Sequence, residues 1–466
     1  MTLIKSISGI RGTIGGKVGD NLTPVDAVKF ASAYGTWLKN SSKNLASEKK
    51  LKVVVGRDAR ISGPMIHNLV VNTLIGLGID VIDLGLSTTP TVEGAVPREN
   101  ADGGIILTAS HNPKQWNALK LLNENGEFLN GENGEKILEI AEEEAFDFAD
   151  VDSLGEITLN DAYMDIHIDE VLNLPLVDIE AIKNAKFKAV VDGVNSSGGI
   201  IIPKLLKLLG VEVVELFCEP NGHFPHNPEP LKEHLTAISE LVVTENAHLG
   251  IVVDPDVDRL AFVCEDGEMF GEEYTLVACA DYVLSKTPGN TVSNMSSSRA
   301  LRDVTNVYGG IYEASAVGEV NVVELMKKNN AVIGGEGNGG IIYPELHYGR
   351  DSLVGVALFL THLANKKMSV SALRASYPEY YMSKNKIELT PTINVDAILQ
   401  AMTEKYKSEN ITTIDGVKID FAHNWVHLRK SNTEPIIRIY TEASTQKLAD
   451  ELALRIINEI KIIAEV

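Results

Sequence analysis

The sequence predicts a series of α/β domains with largely parallel sheets, followed by a small α+β domain. Apolar strand-like runs alternate with helical stretches over most of the chain, a pattern typical of parallel sheets covered by helices. The C-terminal stretch instead contains closely spaced strand-like segments and then one helix. The chain has 466 residues. Since one hydrophobic core rarely serves more than about 250–300 residues, several domains are expected.

Five short apolar runs each lead into a polar loop. Such runs favour strands buried on both faces of a sheet. Ligands bind beyond the carboxyl ends of strands in open α/β sheets, so the loops that follow are candidate functional segments. The runs are Lys52–Val55, Gly104–Thr108, Lys188–Val191, Leu249–Val253 and Ala331–Gly334.

Helix boundaries can be assigned at several positions between these strands. Thr23 and Pro24 suit the N-cap and first position of a helix. A second helix covers Ile202–Leu209 and ends at Gly210. The expected elements of the C-terminal domain are strands at Gly416–Phe421, Trp425–Leu428 and Pro435–Thr441, and a helix from about Thr445.

Composition narrows the class of protein. Apolar residues make up 44% and charged residues 23%, as in ordinary globular proteins. A net charge of −22 argues against nucleic-acid and anionic-membrane partners. No apolar run reaches the length of a membrane helix, and the N-terminus lacks a signal-peptide pattern, so we expect a cytoplasmic protein. The three cysteines form no metal-ligand or CxxC spacing.

The segment Asp254–Arg259 follows a predicted strand and carries carboxylates at alternate positions. Carboxylates that converge in this way suit a hard cation such as Mg²⁺, which prefers oxygen ligands. The alternatives are a solvated acidic turn and the nucleophile loop of haloacid-dehalogenase-type phosphatases. The strand before the loop argues against the first alternative. Asp258 argues against the second, because that loop normally has Thr or Val at this position.

The segment Thr108–Pro113 also leaves a strand. Neighbouring side chains in an extended segment point apart, so we expect His111 to be poorly placed as a base for Ser110. Ser110 can serve instead as a covalent phosphoryl carrier beside a metal ion.

Two further segments suggest ligand contacts. Gly334–Gly340 is glycine-rich but lacks the features of a P-loop or a dinucleotide fingerprint, and its Glu336 and Asn338 suit sugar hydroxyls. Arg429–Thr433 offers a cation, hydroxyls and an amide for an anion. The cations expected to give these loops local positive potential are Arg57, Arg60 and Lys120.

Together the four segments resemble the signature loops of the α-D-phosphohexomutase family. In family order, Thr108–Pro113 resembles the phosphoserine loop, Asp254–Arg259 the metal loop, Gly335–Gly339 the sugar loop and Arg429–Thr433 the phosphate loop. Ser8–Gly12 resembles the family's N-terminal segment. The resemblance covers nearly the whole chain.

The resemblance implies four domains around a central cleft. The first three share one α/β topology with a mixed, largely parallel sheet, and the fourth is the small α+β domain. We expect the phosphoserine-loop domain at residues 1–152, the metal-loop domain at 153–258, the sugar-loop domain at 259–370 and the phosphate-binding domain at 371–466.

The resemblance also implies a reaction. Phosphorylated Ser110 transfers its phosphoryl group to a hexose monophosphate, the bound hexose 1,6-bisphosphate turns over within the cleft, and its other phosphate returns to Ser110. The implied Mg²⁺ ligands are Asp254, Asp256, Asp258 and a phosphoserine oxygen of Ser110.

The resemblance assigns roles to the remaining residues of the loops. Arg259 contacts the phosphoserine, His111 and Lys120 handle protons and charge, and Arg11 belongs to the same catalytic set. Glu336 and Asn338 bind sugar hydroxyls. The residues implied at the non-reacting phosphate are Arg429, Ser431, Asn432 and Thr433.

Two departures from the family pattern bear on the substrate. Asn338 replaces the serine usual in bacterial members, as in archaeal-type phosphoglucosamine and phosphomannose mutases. Ser293–Arg299 lacks the lysine typical of the phosphomannomutase/phosphoglucomutase branch. Without that lysine, no ammonium group at its position would repel a 2-amino group of the sugar, and Glu336 would tolerate such a group. We therefore expect glucosamine 6-phosphate to be converted to glucosamine 1-phosphate. The alternatives are a phosphomannomutase/phosphoglucomutase, a metal-dependent sugar phosphatase and a non-catalytic sensor.

Overall fold

The computed structural model describes residues 2–6, 9–41, 49–388, 394–430 and 436–464. They form four sheets with helices packed against them, and the first three sheets combine parallel pairs with an antiparallel hairpin. The fold class predicted from the sequence is confirmed. Among the described residues, no helix is both long enough and apolar enough to span a membrane.

The first sheet has seven strands. They are β1 (Ile4–Ser6), β2 (Gly9–Thr13), β3 (Lys52–Arg57), β4 (Asp80–Leu86), β5 (Gly103–Leu107), β6 (Trp116–Leu122) and β7 (Ile157–Leu159). Their order is β1-β2-β6-β5-β3-β4-β7. The helices of this part of the chain are α1 (Pro24–Asn40), α2 (Gly63–Gly76), α3 (Thr89–Arg98) and α4 (Gly131–Glu143). The predicted start of α1 is confirmed, because Thr23 caps it and Pro24 is its first residue.

The second sheet has the order β11-β10-β8-β9, with β8 (Lys188–Asp192), β9 (Glu212–Leu216), β10 (Leu249–Val253) and β11 (Leu260–Cys264). The helices around it are α5 (Tyr163–Leu172), α6 (Ile179–Ala185), α7 (Gly198–Leu208) and α8 (Thr236–Thr244). Helix α7 begins four residues before the predicted start and contains Pro203.

The third sheet has the order β13-β12-β14-β15, with β12 (Asn290–Asn294), β13 (Tyr312–Ser315), β14 (Ala331–Glu336) and β15 (Gly340–Ile342). Its helices are α9 (Glu272–Lys286), α10 (Ala300–Val307), α11 (Glu319–Asn329), α12 (Ser352–Lys366) and α13 (Val370–Ala375).

The fourth sheet is antiparallel throughout, in the order β16-β20-β19-β18-β17. Its strands are β16 (Tyr381–Glu388), β17 (Asn410–Thr412), β18 (Val417–Asp420), β19 (Trp425–Lys430) and β20 (Ile436–Ala443), and its helices are α14 (Val395–Lys405) and α15 (Gln446–Ile463).

One feature recurs in the first three sheets and positions the candidate loops. In each, the last strand of the parallel set turns back into an antiparallel neighbour, as β5 into β6, β10 into β11 and β14 into β15. The phosphoserine loop, the metal loop and the sugar loop are the three connections. The same topological position in three domains therefore supplies the three sites.

The first and second sheets each extend beyond the domain boundary expected from the sequence. Strand β7 pairs with β4, and β11 completes the second sheet beside β10, so residues placed beyond the first two boundaries belong to the preceding sheets. Residues of α13 pack into the core shared by the second and third sheets. Pairing between strands that are distant in sequence has no local sequence signal, so the sequence could not predict where each sheet ends. We propose that the second, third and fourth domains begin after Leu159, after Phe270 and at Tyr381.

A cluster of three phenylalanines in the shared core tests this packing. Phe359 of α12 stacks on Phe262 of β11, with ring centroids 3.8 Å apart, and meets the edge of Phe270 at 5.2 Å. Phe359→Ala should lower the free energy of unfolding by about 3–5 kcal/mol, because it leaves a cavity between two domains. The urea midpoint of unfolding measures this. Val307→Ala, at a side chain 79% exposed, is the control, and equal midpoints for the two variants would contradict the account.

Candidate active site

A cleft of about 760 Å³ lies between the four domains and is lined by residues from each of them. The side chains that the sequence predicted and that line it are Arg11, Ser110, His111, Lys120, Arg259, Glu336, Asn338 and Arg429. The three aspartates of the metal loop are fully buried directly beneath Ser110. The predicted Ser431, Asn432 and Thr433 lie outside the described residues.

Ser110 occupies a left-handed backbone conformation, with φ of 49°, which is unusual for a residue other than glycine. Its N–H donates to Thr108 Oγ1 over 3.0 Å, and its hydroxyl donates to Asp254 Oδ2 over 2.8 Å. His111 Nδ1 lies 3.5 Å from Ser110 Oγ. The expectation that the two side chains point apart is wrong, because the chain turns at Ser110 instead of remaining extended.

Arg60 holds this turn in place. Its buried guanidinium donates to the carbonyl oxygens of Ser110, Asn112 (2.8 Å), Pro113 (2.9 Å) and Trp116 (3.0 Å). Asp58 accepts from Arg60 Nε at 3.0 Å and balances the charge. Arg60 was expected to give the cleft positive potential, but it is a support of the phosphoserine loop instead.

In the metal loop each aspartate has at least one carboxylate oxygen held by protein donors, and Asp254 has both, since Ser110 binds its Oδ2. Asp254 Oδ1 accepts two backbone N–H groups, from Asp258 and Arg259, both at 3.1 Å. Asp256 Oδ2 accepts from Thr89 Oγ1 at 2.5 Å and from Lys120 Nζ at 2.6 Å. Within the described part of the chain, Asp256 Oδ1 and Asp258 Oδ1 are buried and accept no hydrogen bond.

Two cations compensate this buried negative charge. Lys120 Nζ lies 2.6 Å from Asp256 Oδ2 and 3.2 Å from Asp258 Oδ2, and Arg350 Nη2 lies 2.7 Å from the same Asp258 oxygen. Burial alone would raise the pKa of Asp258, but Arg350 and Lys120 lower it below its ordinary value. Burial and the two neighbouring carboxylates raise the pKa of Asp254.

The opposite side of Ser110 faces positive charge. Burial and the nearby guanidinium groups of Arg259 and Arg11 lower the pKa of His111 well below its usual value. Arg259 Nη1 lies 3.4 Å from Glu229, and its Nε lies 4.0 Å from Asp258 Oδ1. His111 is therefore a neutral imidazole at neutral pH.

Arg350 was missed by sequence reasoning. Its guanidinium also donates to Glu319 Oε2 at 2.8 Å and to Glu336 Oε2 at 2.9 Å. Glu336 Oε1 accepts from Asn294 Nδ2 at 2.8 Å and from the Gly318 N–H at 3.2 Å. A single arginine in a polar loop carries no motif, and only the folded chain shows that three carboxylates converge on it.

The fourth domain contributes two arginines to the cleft. Arg429 and Arg438 are directly opposite each other on β19 and β20, and both line the cleft. Asp415 binds Arg429 Nε at 2.8 Å and also accepts the N–H of Val317 in the third domain at 2.9 Å. Like charges directly opposite on paired strands repel each other, so an anion between the two guanidinium groups would be stabilising. Sequence reasoning missed Arg438 because the pairing of β19 with β20 sets its position.

Comparison with known proteins identifies the family. The four domain models described as phosphoglucomutase/phosphomannomutase, alpha/beta/alpha domains I, II and III and C-terminal domain, match residues 3–148, 165–267, 271–381 and 386–459. The chain belongs to the α-D-phosphohexomutase family.

Relatives of this phosphohexomutase carry different substrate names. A protein of Thermococcus kodakarensis named phosphoglucomutase/phosphomannomutase is 36% identical, covering 96% of this chain and 98% of its own. A phosphoglucosamine/phosphogalactosamine mutase of Sulfurisphaera tokodaii is 32% identical over 98% of both chains. The crystal structure of a phosphoglucomutase/phosphomannomutase family protein from Burkholderia thailandensis has a TM-score of 0.84 at 25% identity, covering 100% of this chain and 98% of its own.

The aspartates of this phosphohexomutase have the properties of a metal site. One ligand atom from each of Asp254, Asp256 and Asp258 lies within 4.8 Å of the others, and all three residues are buried. Two of their oxygens accept no hydrogen bond from the described residues. Buried carboxylate oxygens without a donor are costly, and a cation bound by oxygen ligands would satisfy them.

Asp256→Asn should weaken divalent-ion binding by about 10-fold or more, because even residues that only support metal ligands contribute that much. Loss of the free-ion EPR signal on titration with Mn²⁺ gives the dissociation constant. The matched control is Asp192→Asn, a buried aspartate at the end of β8 that is paired with His226, and it should bind Mn²⁺ like the wild type. Unchanged binding in Asp256→Asn would rule out the loop as the metal site.

Proposed function

We propose that the protein interconverts hexose 6-phosphate and hexose 1-phosphate through phosphorylated Ser110 and a bound hexose 1,6-bisphosphate. One observation carries this proposal: Ser110 Oγ rests on Asp254 at 2.8 Å, beside buried aspartate oxygens that accept no hydrogen bond from the described residues. A hydroxyl in that position suits a phosphoryl carrier whose charge a cation would neutralise.

The groups around Ser110 support a division of roles. As the phosphorus–oxygen bond to Ser110 breaks, one forms to the sugar hydroxyl, so the sugar hydroxyl loses a proton and the departing Ser110 oxygen gains one. His111, 3.5 Å from Ser110 Oγ, is proposed to take the proton from the sugar hydroxyl and to return it to Ser110 Oγ. Burial would lower the pKa of Lys120, but Asp256 and Asp258 raise it above its ordinary value. Lys120 therefore stays charged, and its proposed role is to balance negative charge.

We infer that Asp254, Asp256 and Asp258 hold Mg²⁺, because the donor set is entirely oxygen. The ion would neutralise negative charge on the transferring phosphoryl group. Zn²⁺ favours His and Cys ligands, which the loop lacks.

The arginines of the fourth domain support binding of the phosphate that does not react. Arg429 and Arg438 are paired across β19 and β20, and both can bind phosphate bidentately. The proposed contacts of Ser431, Asn432 and Thr433 with the same phosphate remain a prediction. A phosphate site on one domain and a metal loop on another allow either end of the sugar to face Ser110.

For the sugar, the structure removes one of the arguments made from the sequence. Arg350 binds Glu336 at 2.9 Å and balances the charge that was expected to tolerate an amine. Glu273 also lines the cleft, and a Cβ added at Gly337 would lie 2.0 Å from its Oε2, so its carboxyl group lies against the sugar loop. Burial raises the pKa of Glu273 to about 8, so this residue is mostly protonated at neutral pH and does not replace the charge of Glu336.

We retain glucosamine 6-phosphate as the proposed substrate, supported by the lack of a lysine in Ser293–Arg299 and by the name of the Sulfurisphaera relative. Glucose and mannose phosphates are the second candidates, because the Thermococcus relative at 36% identity carries their name.

Ser110 should carry phosphate in the active enzyme, and Ser110→Ala should lower turnover at least about a thousandfold, as loss of a covalent nucleophile does in other enzymes. Intact-mass and peptide mass spectrometry locate the phosphate, and coupled assays with Mg²⁺ and a hexose 1,6-bisphosphate measure turnover. Ser32→Ala, a buried serine of α1, is the matched control. Full activity in Ser110→Ala would exclude the phosphoserine route, and steady release of inorganic phosphate by the wild type would indicate a phosphatase.

The substrate proposal is tested by kcat/KM for glucosamine 1-phosphate, glucose 1-phosphate and mannose 1-phosphate. Glucosamine 1-phosphate should give the highest value. Contacts in a polar pocket can discriminate strongly between sugars. A kcat/KM about tenfold higher for glucose 1-phosphate or mannose 1-phosphate than for glucosamine 1-phosphate would overturn the proposal and favour the second candidates.

A further inference from the structure

Arg350 joins three segments that are distant in sequence. It lies between β15 and α12, it is 8% exposed, and its backbone forms a bridge with Ile342. Its N–H donates to Glu319 Oε1 at 3.2 Å, so Glu319 holds both the main chain and the side chain of this residue. The position of the guanidinium is fixed from both ends.

The guanidinium uses its three nitrogens on three carboxylates. Nε binds Glu319 at the start of α11, Nη1 binds Glu336 of the sugar loop, and Nη2 binds Asp258 of the metal loop, at 2.8, 2.9 and 2.7 Å. Such directed contacts need the planar fork of arginine, since a lysine ammonium is a single point of charge. The interaction with Asp258 leaves Asp258 Oδ1 without a hydrogen bond from the described residues.

The next residue, Asp351, anchors this loop to the rest of the molecule. Its Oδ1 accepts the N–H of Leu353 in α12, and its Oδ2 lies 2.8 Å from His167 Nε2 and 3.2 Å from His347 Nε2. His167, His347 and Asp351 form a second group that could hold a metal ion. The distances from Oδ2 to the two imidazole nitrogens are those of hydrogen bonds, so we interpret the group as a support of the Arg350 loop.

We propose that Arg350 is a positioning residue of the phosphoryl-transfer site, which orients Asp258 for the divalent ion and couples the metal loop to the sugar loop. The inference rests on the proposed function, because it assigns the two loops to one reaction. A change in the position of Glu336 would then alter the position of Asp258, because the Arg350 guanidinium binds both carboxylates. The ion would in turn hold Glu336 in place for the sugar.

The first test is Arg350→Lys, which keeps the charge but loses the fork. Its dissociation constant for Mn²⁺, from EPR titration, should rise by about 10- to 100-fold, as for other residues that orient metal ligands. The KM for glucosamine 1-phosphate should rise as well, through Glu336. The matched control is Arg299→Lys, at another buried arginine, which lies 3.3 Å from Asp420 and 3.6 Å from Glu442. This control should bind Mn²⁺ like the wild type, and equal affinity in Arg350→Lys would overturn the proposal.

The second test keeps the proposal falsifiable if Arg350→Lys does not fold. Glu336→Gln leaves the metal loop intact but removes one of the three carboxylates that fix the guanidinium, so Arg350 holds Asp258 less firmly in the orientation that suits the ion. Mn²⁺ affinity should fall by about fivefold, and the same change made in Arg350→Lys should have a much smaller effect, since residues that share a partner are not additive. Equal effects in both backgrounds, or unchanged affinity in Glu336→Gln, would show that Arg350 does not couple the loops.

Mn²⁺ binding needs no turnover, which separates this inference from the proposed function. A wild-type protein that binds Mn²⁺ but transfers no phosphoryl group would overturn the proposed function alone. A wild-type mutase in which both tests fail would overturn only the role of Arg350.

Discussion

Repulsion among three buried carboxylates is the constraint around which the rest of the site is arranged. Ligand atoms of Asp254, Asp256 and Asp258 lie within 4.8 Å of one another, a separation at which two like charges repel by about 3–4 kcal/mol at an effective dielectric constant of about 20. Backbone N–H groups bind one oxygen of Asp254, Lys120 binds one oxygen of Asp256, and Arg350 binds one oxygen of Asp258. These contacts keep the carboxylates in place and leave two of the oxygens without a hydrogen bond from the described residues. Ser110 donates to Asp254, so the same arrangement also positions the candidate phosphoryl carrier.

The fold brings these groups together by repeating one connection. In three successive sheets a parallel strand turns back into an antiparallel partner, and the phosphoserine, metal and sugar loops occupy those turns. The fourth domain closes the cleft from another side with Arg429 and Arg438. It touches the third domain through the contacts of Asp415 with Val317 and of His427 with Ser296. Burial lowers the pKa of His427 to about 4, so this interdomain contact is made by a neutral imidazole at neutral pH.

The sequence predicted the elements whose signals are local. The metal loop follows an apolar strand, and its alternating aspartates converge as expected, while Thr23 and Pro24 mark the start of α1. Long-range pairings could not be predicted in the same way. The positions of Arg350 and Arg438 in the cleft depend on neighbours far along the chain. Arg60 was wrongly expected to face the cleft, because only the folded chain shows that its side chain is buried. The expected orientation of His111 was wrong because Ser110 adopts a left-handed backbone conformation, which nothing in the sequence of the loop predicts.

The account predicts which carboxylate oxygens face the metal ion, and anomalous diffraction from a crystal of the Ser110-phosphorylated protein with Mn²⁺ tests this directly. The expected result is one Mn²⁺ peak bound by a phosphoserine oxygen, Asp254 Oδ2, Asp256 Oδ1 and Asp258 Oδ1, with Arg350 still bound to Asp258 Oδ2. A peak on Asp258 Oδ2 with Arg350 displaced, or a peak only between His167, His347 and Asp351, would contradict it.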